Sequence, residues 1–103
     1  MRDIHHPAAD EITLTGVLHA LSDPVRLQIV RELDRRGEDA CSALGIDVSK
    51  ATLSHHFRVL REAGVIWTRA VGTARVSRLR RDDLEVRVPG LIDVVLRGEL
   101  TPV

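Results

Sequence analysis

The stretch Ser49-Lys50-Ala51-Thr52-Leu53-Ser54-His55-His56-Phe57-Arg58-Val59-Leu60-Arg61-Glu62-Ala63-Gly64-Val65-Ile66 decides the reading of this 103-residue chain. Ser49 is placed to cap the backbone N–H of Thr52; a helix then runs to about Ala63, and Gly64 ends it. Leu53, Phe57 and Leu60 fall on one side of that helix and are expected to face a core. Ala51, Ser54, His55 and Arg58 fall on roughly the opposite side, which is polar, basic and close to the helix N-terminus.

Downstream of Gly64 the pattern changes period. Val65–Val71 and Ala74–Leu79 are β-prone, and Gly72-Thr73 between them suits a tight hairpin turn. Pairing Val71 with Ala74 sets Ile66 across from Leu79 as an apolar pair toward the core. Arg69, Arg75 and Arg78 flank the tip. Asp82–Glu85 reads as a polar connector. Val88-Pro89-Gly90 leads into a last helix, Leu91–Gly98, whose apolar residues wrap most of its circumference. One face of such a helix can meet its own core; the other needs a partner, most simply a second copy of the chain.

Upstream, Leu14, Val17, Leu18 and Leu21 recur at helical spacing. Ser22-Asp23-Pro24 stops that helix and starts another, with Asp23 as cap and Pro24 at the first helical position, where its missing N–H costs nothing. The second helix ends near Arg35-Arg36-Gly37, cations and a glycine where a C-terminus favours them. Residues 38–48 read as a short helix around Ser42–Gly45 and a turn at Ile46-Asp47-Val48. Residues 1–11 show no periodicity and read as a loose tail, leaving 12–98 as one domain and 99–103 as a C-terminal tail.

Formal net charge is zero, but it is distributed unevenly. Residues 50–81 hold eight cations (Lys50, Arg58, Arg61, Arg69, Arg75, Arg78, Arg80, Arg81) against Glu62 alone, a surplus of +7, whereas residues 1–49 carry −4 and residues 82–103 carry −3. An evenly solvated surface would mix the signs, so the basic third reads as an electrostatic footprint for phosphate. Composition, 44% hydrophobic and 29% charged, is that of a globular domain. No apolar run approaches membrane-span length, the N-terminus lacks a secretory signal's apolar stretch, and one cysteine allows no intrachain disulfide. No membrane partner is expected, and a cytoplasmic location is the default.

A short helix, a turn and a second helix with a polar N-terminal face is the arrangement with which helix-turn-helix proteins enter the major groove of double-stranded DNA. Ser49, Thr52 and the exposed N–H groups of the helix start suit a phosphate. Lys50, Ala51, Ser54, His55 and Arg58 are then the candidates for bases or the adjoining backbone. The basic hairpin that follows is a wing, with Arg69, Thr73 and Arg75 as its candidate contacts to backbone or minor groove. The expected fold is mainly α with a small β-hairpin: a winged helix-turn-helix of five helices.

Leu18-His19-Ala20-Leu21-Ser22-Asp23-Pro24-Val25-Arg26-Leu27-Gln28-Ile29-Val30, together with the stretch from Ser49 to Ile66, resembles the ArsR/SmtB family over about residues 14–98. The resemblance implies a homodimeric, usually repressive transcription factor that joins through its first and last helices, here through Leu14, Val17, Leu18, Leu21, Leu91, Ile92 and Val95. It also implies an effector, often a metal ion, that lowers DNA affinity. The chain departs from the family at both usual metal sites. Where metal-sensing members carry a Cys-x-Cys pair, Asp39-Ala40-Cys41 offers one thiolate. Where others carry Asp-x-His on the last helix, Asp93-Val94-Val95 ends in a valine. One thiolate is a poor start for a soft-metal site, so no metal and no cofactor is expected.

His55 and His56 are adjacent on a helix and point about 100° apart, so they share no face. His55 is read as a DNA contact and His56 as packing at the edge of the core. Cys41 reads as a small buried hydrophobe, the alternative being a redox- or metal-responsive repressor that uses this thiol. His5 and His6 read as incidental residues of a mobile tail rather than partners of a second subunit's Cys41. Trp67 reads as packing in the wing, and with Phe57 as the only other aromatic, a stacking platform for single strands is implausible. No glycine-rich phosphate loop, paired-acid site or Cys–His arrangement supports an enzyme. The serious rival is a winged helix serving only as a protein-interaction module; a +7 segment argues against it, because interface cores are depleted of charge.

Overall fold

A computed structural model of the protein describes residues 4–98. The C-terminal tail, 99–103, and the first three residues of the N-terminal tail lie outside the described residues. Helices α1 (Leu14–Leu21), α2 (Pro24–Arg36) and α3 (Lys50–Glu62) form the body, strands β1 (Glu38–Ala40), β2 (Ile66–Val71) and β3 (Ala74–Leu79) form one sheet, and α4 (Arg81–Arg87) and α5 (Leu91–Gly98) close the chain. This is a winged helix-turn-helix architecture.

The helix boundaries follow the capping chemistry. Thr13 accepts the Gly16 N–H at 3.1 Å, and Asp23 Oδ1 accepts from the N–H groups of Val25 and Arg26 at 2.8 and 3.1 Å. Those two bonds hold the Asp23 carboxyl below the usual carboxylate range, the Arg26 N–H contributing most. Pro24 occupies the start of α2, and Ser49 Oγ accepts the Thr52 N–H at 3.2 Å. The hairpin has the expected register, Val71 opposite Ala74 and Ile66 opposite Leu79. At its tip Gly72 has φ +61° and Thr73 does not have positive φ, the pattern of a II′ turn.

Three elements differ from the sequence reading. Residues 38–40, to which the sequence assigned no element of their own, are a strand: β1 pairs antiparallel with β3, and the sheet order is β1-β3-β2. A three-residue strand holding two acids has no readable alternation; it forms because β3 offers it an edge. The short helix placed at Ser42–Gly45 is a single 3-10 turn, Cys41–Ala43. The polar connector at Asp82–Glu85 is α4, which buries Leu84 while Asp82, Glu85 and Val86 stay exposed. Two turns of mostly polar residues around one buried leucine are too short to show a period.

Ile29, Leu33, Leu60, Val65, Ile66 and Leu84 lie at the centre of the core. Arg26 is buried as well: its Nε donates to the Ala20 carbonyl at 2.6 Å and its Nη1 lies 3.1 Å from His56 Nδ1. A guanidinium only donates, so Nδ1 accepts and the ring proton sits on Nε2. This bridge ties the end of α1 to α3, fixing where α3 presents its outer face. His56 is at the edge of the core, as its position on α3 implied.

The described part of the N-terminal segment, residues 4–12, is docked rather than loose. Ile12 is 1% exposed, a 3-10 turn spans Ala9–Glu11, and the Ile12 carbonyl accepts from Arg87 Nε at 3.0 Å. The segment docks through single side chains and carbonyls onto surfaces from distant parts of the chain, which leaves no periodic mark.

Candidate nucleic-acid interface

α3 carries the exposed face that its sequence implied. Lys50, Ala51, Thr52, Ser54, His55 and Arg58 are all exposed, while His56, Phe57 and Leu60 are buried. Ser49, the cap, is exposed and donates its hydroxyl proton to Thr52 Oγ1 at 2.8 Å. The helix start is therefore pinned by its own side chains, with a positive end directed outward.

The wing meets this face. A concavity of about 340 Å³ is lined by Ala51, Ser54, His55, Arg58, Arg61 and Arg75. A deeper cleft of about 510 Å³ lies between α3 and the hairpin, with Lys50, Ser54, Arg61, Thr73 and Arg75 among its walls and Leu53 and Phe57 on its lining. Among the described residues, no carboxylate lines either concavity. Arg61 stands between them, and its buried Nε has no hydrogen-bond partner among the described residues. Burial, then the Arg75 guanidinium nearby, weaken its hold on its proton. Two guanidiniums facing one cleft, one of them partly desolvated, form a site that favours an anion.

Arg61 was not among the candidates read from the sequence, although the signal was present: Ser54, Arg58 and Arg61 stand at i, i+4 and i+7, one helical stripe.

The basic footprint is thinner than the count of cations. Arg69, a candidate wing contact, pairs with Glu38 at 2.7 Å, and this pair holds the Glu38 carboxyl below its usual range. Arg80 is buried and donates to Asp83 at 3.0 and 3.1 Å. Arg81 bridges Asp34 and Asp93, each at 2.8 Å. These partners come from β1, α2, α4 and α5, so a charge sum over one stretch of chain overstates what reaches the surface unpaired. Lys50, Arg58 and Arg75 are the exposed cations at the junction of α3 and the wing, although Arg58 lies 3.9 Å from Glu62.

Cys41 is half-buried with its Sγ 3.7 Å from Ser77 Oγ. Burial pushes its thiol upward, away from the thiolate form that a nucleophile or a soft-metal ligand requires. The Asp93 carboxylate is occupied by Arg81. His6 uses Nε2 to accept the Thr68 N–H at 2.9 Å, so its lone pair is already engaged.

The seven residues read as a dimer face separate into two sets. Val17, Leu21 and Ile92 are buried within the protomer and face its own core, and Leu91 and Val95 are half-buried. Leu14 and Leu18 stand exposed on α1, and Val94, absent from the expected set, is exposed on α5. A helix apolar on two sides does not reveal which side its own core takes.

Residues 21–69 match the profile of a helix-turn-helix domain family. The chain is 33% identical over 90 residues to the HTH-type transcriptional regulator YceK of Bacillus subtilis, covering 84% of this chain and 90% of that protein. It is 38% identical over 81 residues to a Halobacterium salinarum protein named as the arsenical resistance operon repressor ArsR, covering 73% of this chain and 62% of that one. Among solved structures it is similar to the transcriptional repressor BigR from Xylella fastidiosa, with a TM-score of 0.66, 28% identity, and coverage of 92% of this chain and 91% of that one. In the described residues no helix is long and apolar enough to cross a membrane.

Proposed function

Because this chain belongs to the ArsR family of helix-turn-helix transcriptional regulators, we propose that it is a repressor that binds double-stranded DNA as a homodimer. In this reading α3 lies in the major groove, Ser54, His55 and Arg58 face base edges, and Ser49, Lys50 and Thr52 face the adjoining phosphates. Thr73 and Arg75 carry the wing onto the backbone, with Arg69 joining them on exchanging Glu38 for a phosphate. The cleft between α3 and the wing, with Arg61 at its back, is the seat for a backbone phosphate. The observation that carries this reading is the continuity of the exposed polar face of α3 with the Arg75 side of the wing, across concavities without a carboxylate. Such a protein works in the cytoplasm and catalyses nothing; its output is occupancy of a DNA site.

Leu14 and Leu18 on α1 and Val94 on α5 support the homodimer, since exposed aliphatic side chains of this size are the ones a second copy would cover. Two recognition helices related by a twofold axis call for a palindromic site, with half-sites about one helical turn, roughly 10 base pairs, apart or a multiple of that.

The test is a division of labour between helix and wing. Arg58→Ala is expected to weaken binding by about 1–3 kcal/mol and to blur preference at one position of each half-site. Arg75→Ala is expected to weaken all sequences alike and to shallow the dependence of log affinity on log salt by about one contact per protomer. Fluorescence anisotropy on selected and scrambled duplexes over a salt series measures both. An Arg75→Ala protein with full affinity and an unchanged salt slope removes the wing from the interface. Equal affinity of the parent protein for selected and scrambled duplexes removes sequence reading altogether.

A further inference from the structure

We propose that the N-terminal arm is a proton-released clasp on the wing: a neutral His6 holds the arm to the outer edge of β2, and protonation of the ring lets it go. The proposal concerns the protein without DNA and stands apart from the functional reading above.

β2 is an edge strand, because the sheet runs β1-β3-β2. The outward N–H of Thr68 therefore has no strand partner, and His6 Nε2 supplies the acceptor at 2.9 Å. The Thr68 side chain is turned inward, its hydroxyl 2.8 Å from Ser77 Oγ, so this backbone N–H is fixed in place. The His6 ring lies flat on Trp67, with centroids 4.0 Å apart and planes 9° from parallel. Beyond it, Arg80 donates to the Pro7 carbonyl at 2.8 Å and stands 5.2 Å from the indole of Trp67. Among the described residues of the arm, His6 is the titratable side chain bonded to the sheet; the Pro7 and Ile12 carbonyls make the other polar contacts, to Arg80 and Arg87.

Only the neutral ring fits. An N–H donor needs a lone pair on Nε2, which the neutral ring supplies and the protonated ring does not. A proton on Nε2 would set a donor against the Thr68 donor and a positive charge among cations. The charged and titratable groups that bear on the ring are Arg61 from α3, Arg80 at the start of α4, and His5 on the arm itself. The acid nearest in the network, Asp83, is bound to Arg80. Burial first, then Arg61 and Arg80, lower the proton affinity of His6 below its ordinary value of 6.5. The docked arm therefore binds fewer protons than the released arm. Its hold is complete above the ordinary value and is lost as pH falls through the lowered one. Release uncovers the Thr68 N–H and the face of Trp67, and removes the outer layer of the hairpin. Because Arg61 belongs to α3, the same proton also adds repulsion behind the proposed DNA-facing helix.

The experiment follows the full-length protein by heteronuclear NMR from about pH 8 to about pH 5, the range over which an imidazole changes charge. The expected result is a joint shift of the Thr68 amide and Trp67 indole signals with a midpoint below 6.5, accompanied by a fall in the heteronuclear NOE of residues 4–8. Trp67 is the only tryptophan, so its fluorescence reports the same step. His6→Gln keeps an acceptor and cannot titrate; its arm is expected to stay ordered across the range. His5→Gln is expected to leave the transition in place. An arm of unchanged order throughout, or the same transition in His6→Gln, overturns the proposal. If the His6→Gln arm is already loose at pH 8, the hold lies in the ring, and His5→Gln decides: the transition retained supports the clasp, and the transition lost overturns it.

Discussion

Glutamate at both Leu18 and Val94 is expected to leave the protomer folded and to lower affinity for a two-half-site duplex by on the order of 10²–10⁴, the gain that joining two binding modules confers. Leu18 is 45% exposed and Val94 68% exposed, so each charge remains hydrated in an isolated protomer. In a dimer that covers α1 and α5, four carboxylates would be brought to an apolar contact, and their desolvation would outweigh the contact itself. The second half-site then has to be bound by a separate molecule. Light scattering at micromolar concentration and anisotropy on duplexes with one and two half-sites measure the outcome. Affinity for a single half-site should change little. A parent protein that is already monomeric refutes the homodimer, and a variant that still dimerises places the interface elsewhere.

Gly64→Ala is expected to destabilise the fold by about 2–4 kcal/mol, combining a left-handed backbone penalty with overpacking. Gly64 has φ +81°, and a Cβ built there would lie 2.5 Å from Ile12 Cγ1 and 2.8 Å from its Cδ1. Ile12 is 1% exposed and cannot swing into solvent without leaving the core. Gly72→Ala is the matched control: φ is +61°, but nothing lies within 4 Å of the added carbon, so only the backbone penalty of about 1–2 kcal/mol applies. Urea denaturation of the two variants separates the terms. Equal losses at the two positions would mean that Ile12 yields without cost and that the arm is not packed on Gly64.

These two residues also mark where the sequence could be read and where it could not. Gly64 is legible as the end of a helix, because a glycine after an amphipathic run is a local signal. Its second duty, leaving room for Ile12, depends on a residue 52 positions earlier and has no local sign. α3, the hairpin register and the cap at Asp23 were legible for the same reason: a helical stripe, a strand alternation and a cap are written within a few residues of each other. β1 was not, since its three residues become a strand only on meeting β3. α4 was not, since its helix is defined by burying Leu84 rather than by a repeat.

The candidate site divides the same way. That Ala51, Ser54, His55 and Arg58 share an outward face follows from 3.6 residues per turn, and needs no coordinates. Which of the eight cations remain unpaired at the surface does not follow from the count. Glu38, Asp34 and Asp93 reach Arg69 and Arg81 across the fold, and the charge of each pair is spent within the protein. On α1 the periodicity named one apolar stripe, Leu14, Val17, Leu18 and Leu21, and only packing decided that Val17 and Leu21 turn inward while Leu14 and Leu18 stay exposed. The sequence by itself determined α3, its polar face and the wing, because each rests on interactions between near neighbours. The docked arm, the third strand, the spent cations and the inward side of α1 were decided by tertiary structure, because each depends on residues that chain spacing keeps apart and folding brings into contact.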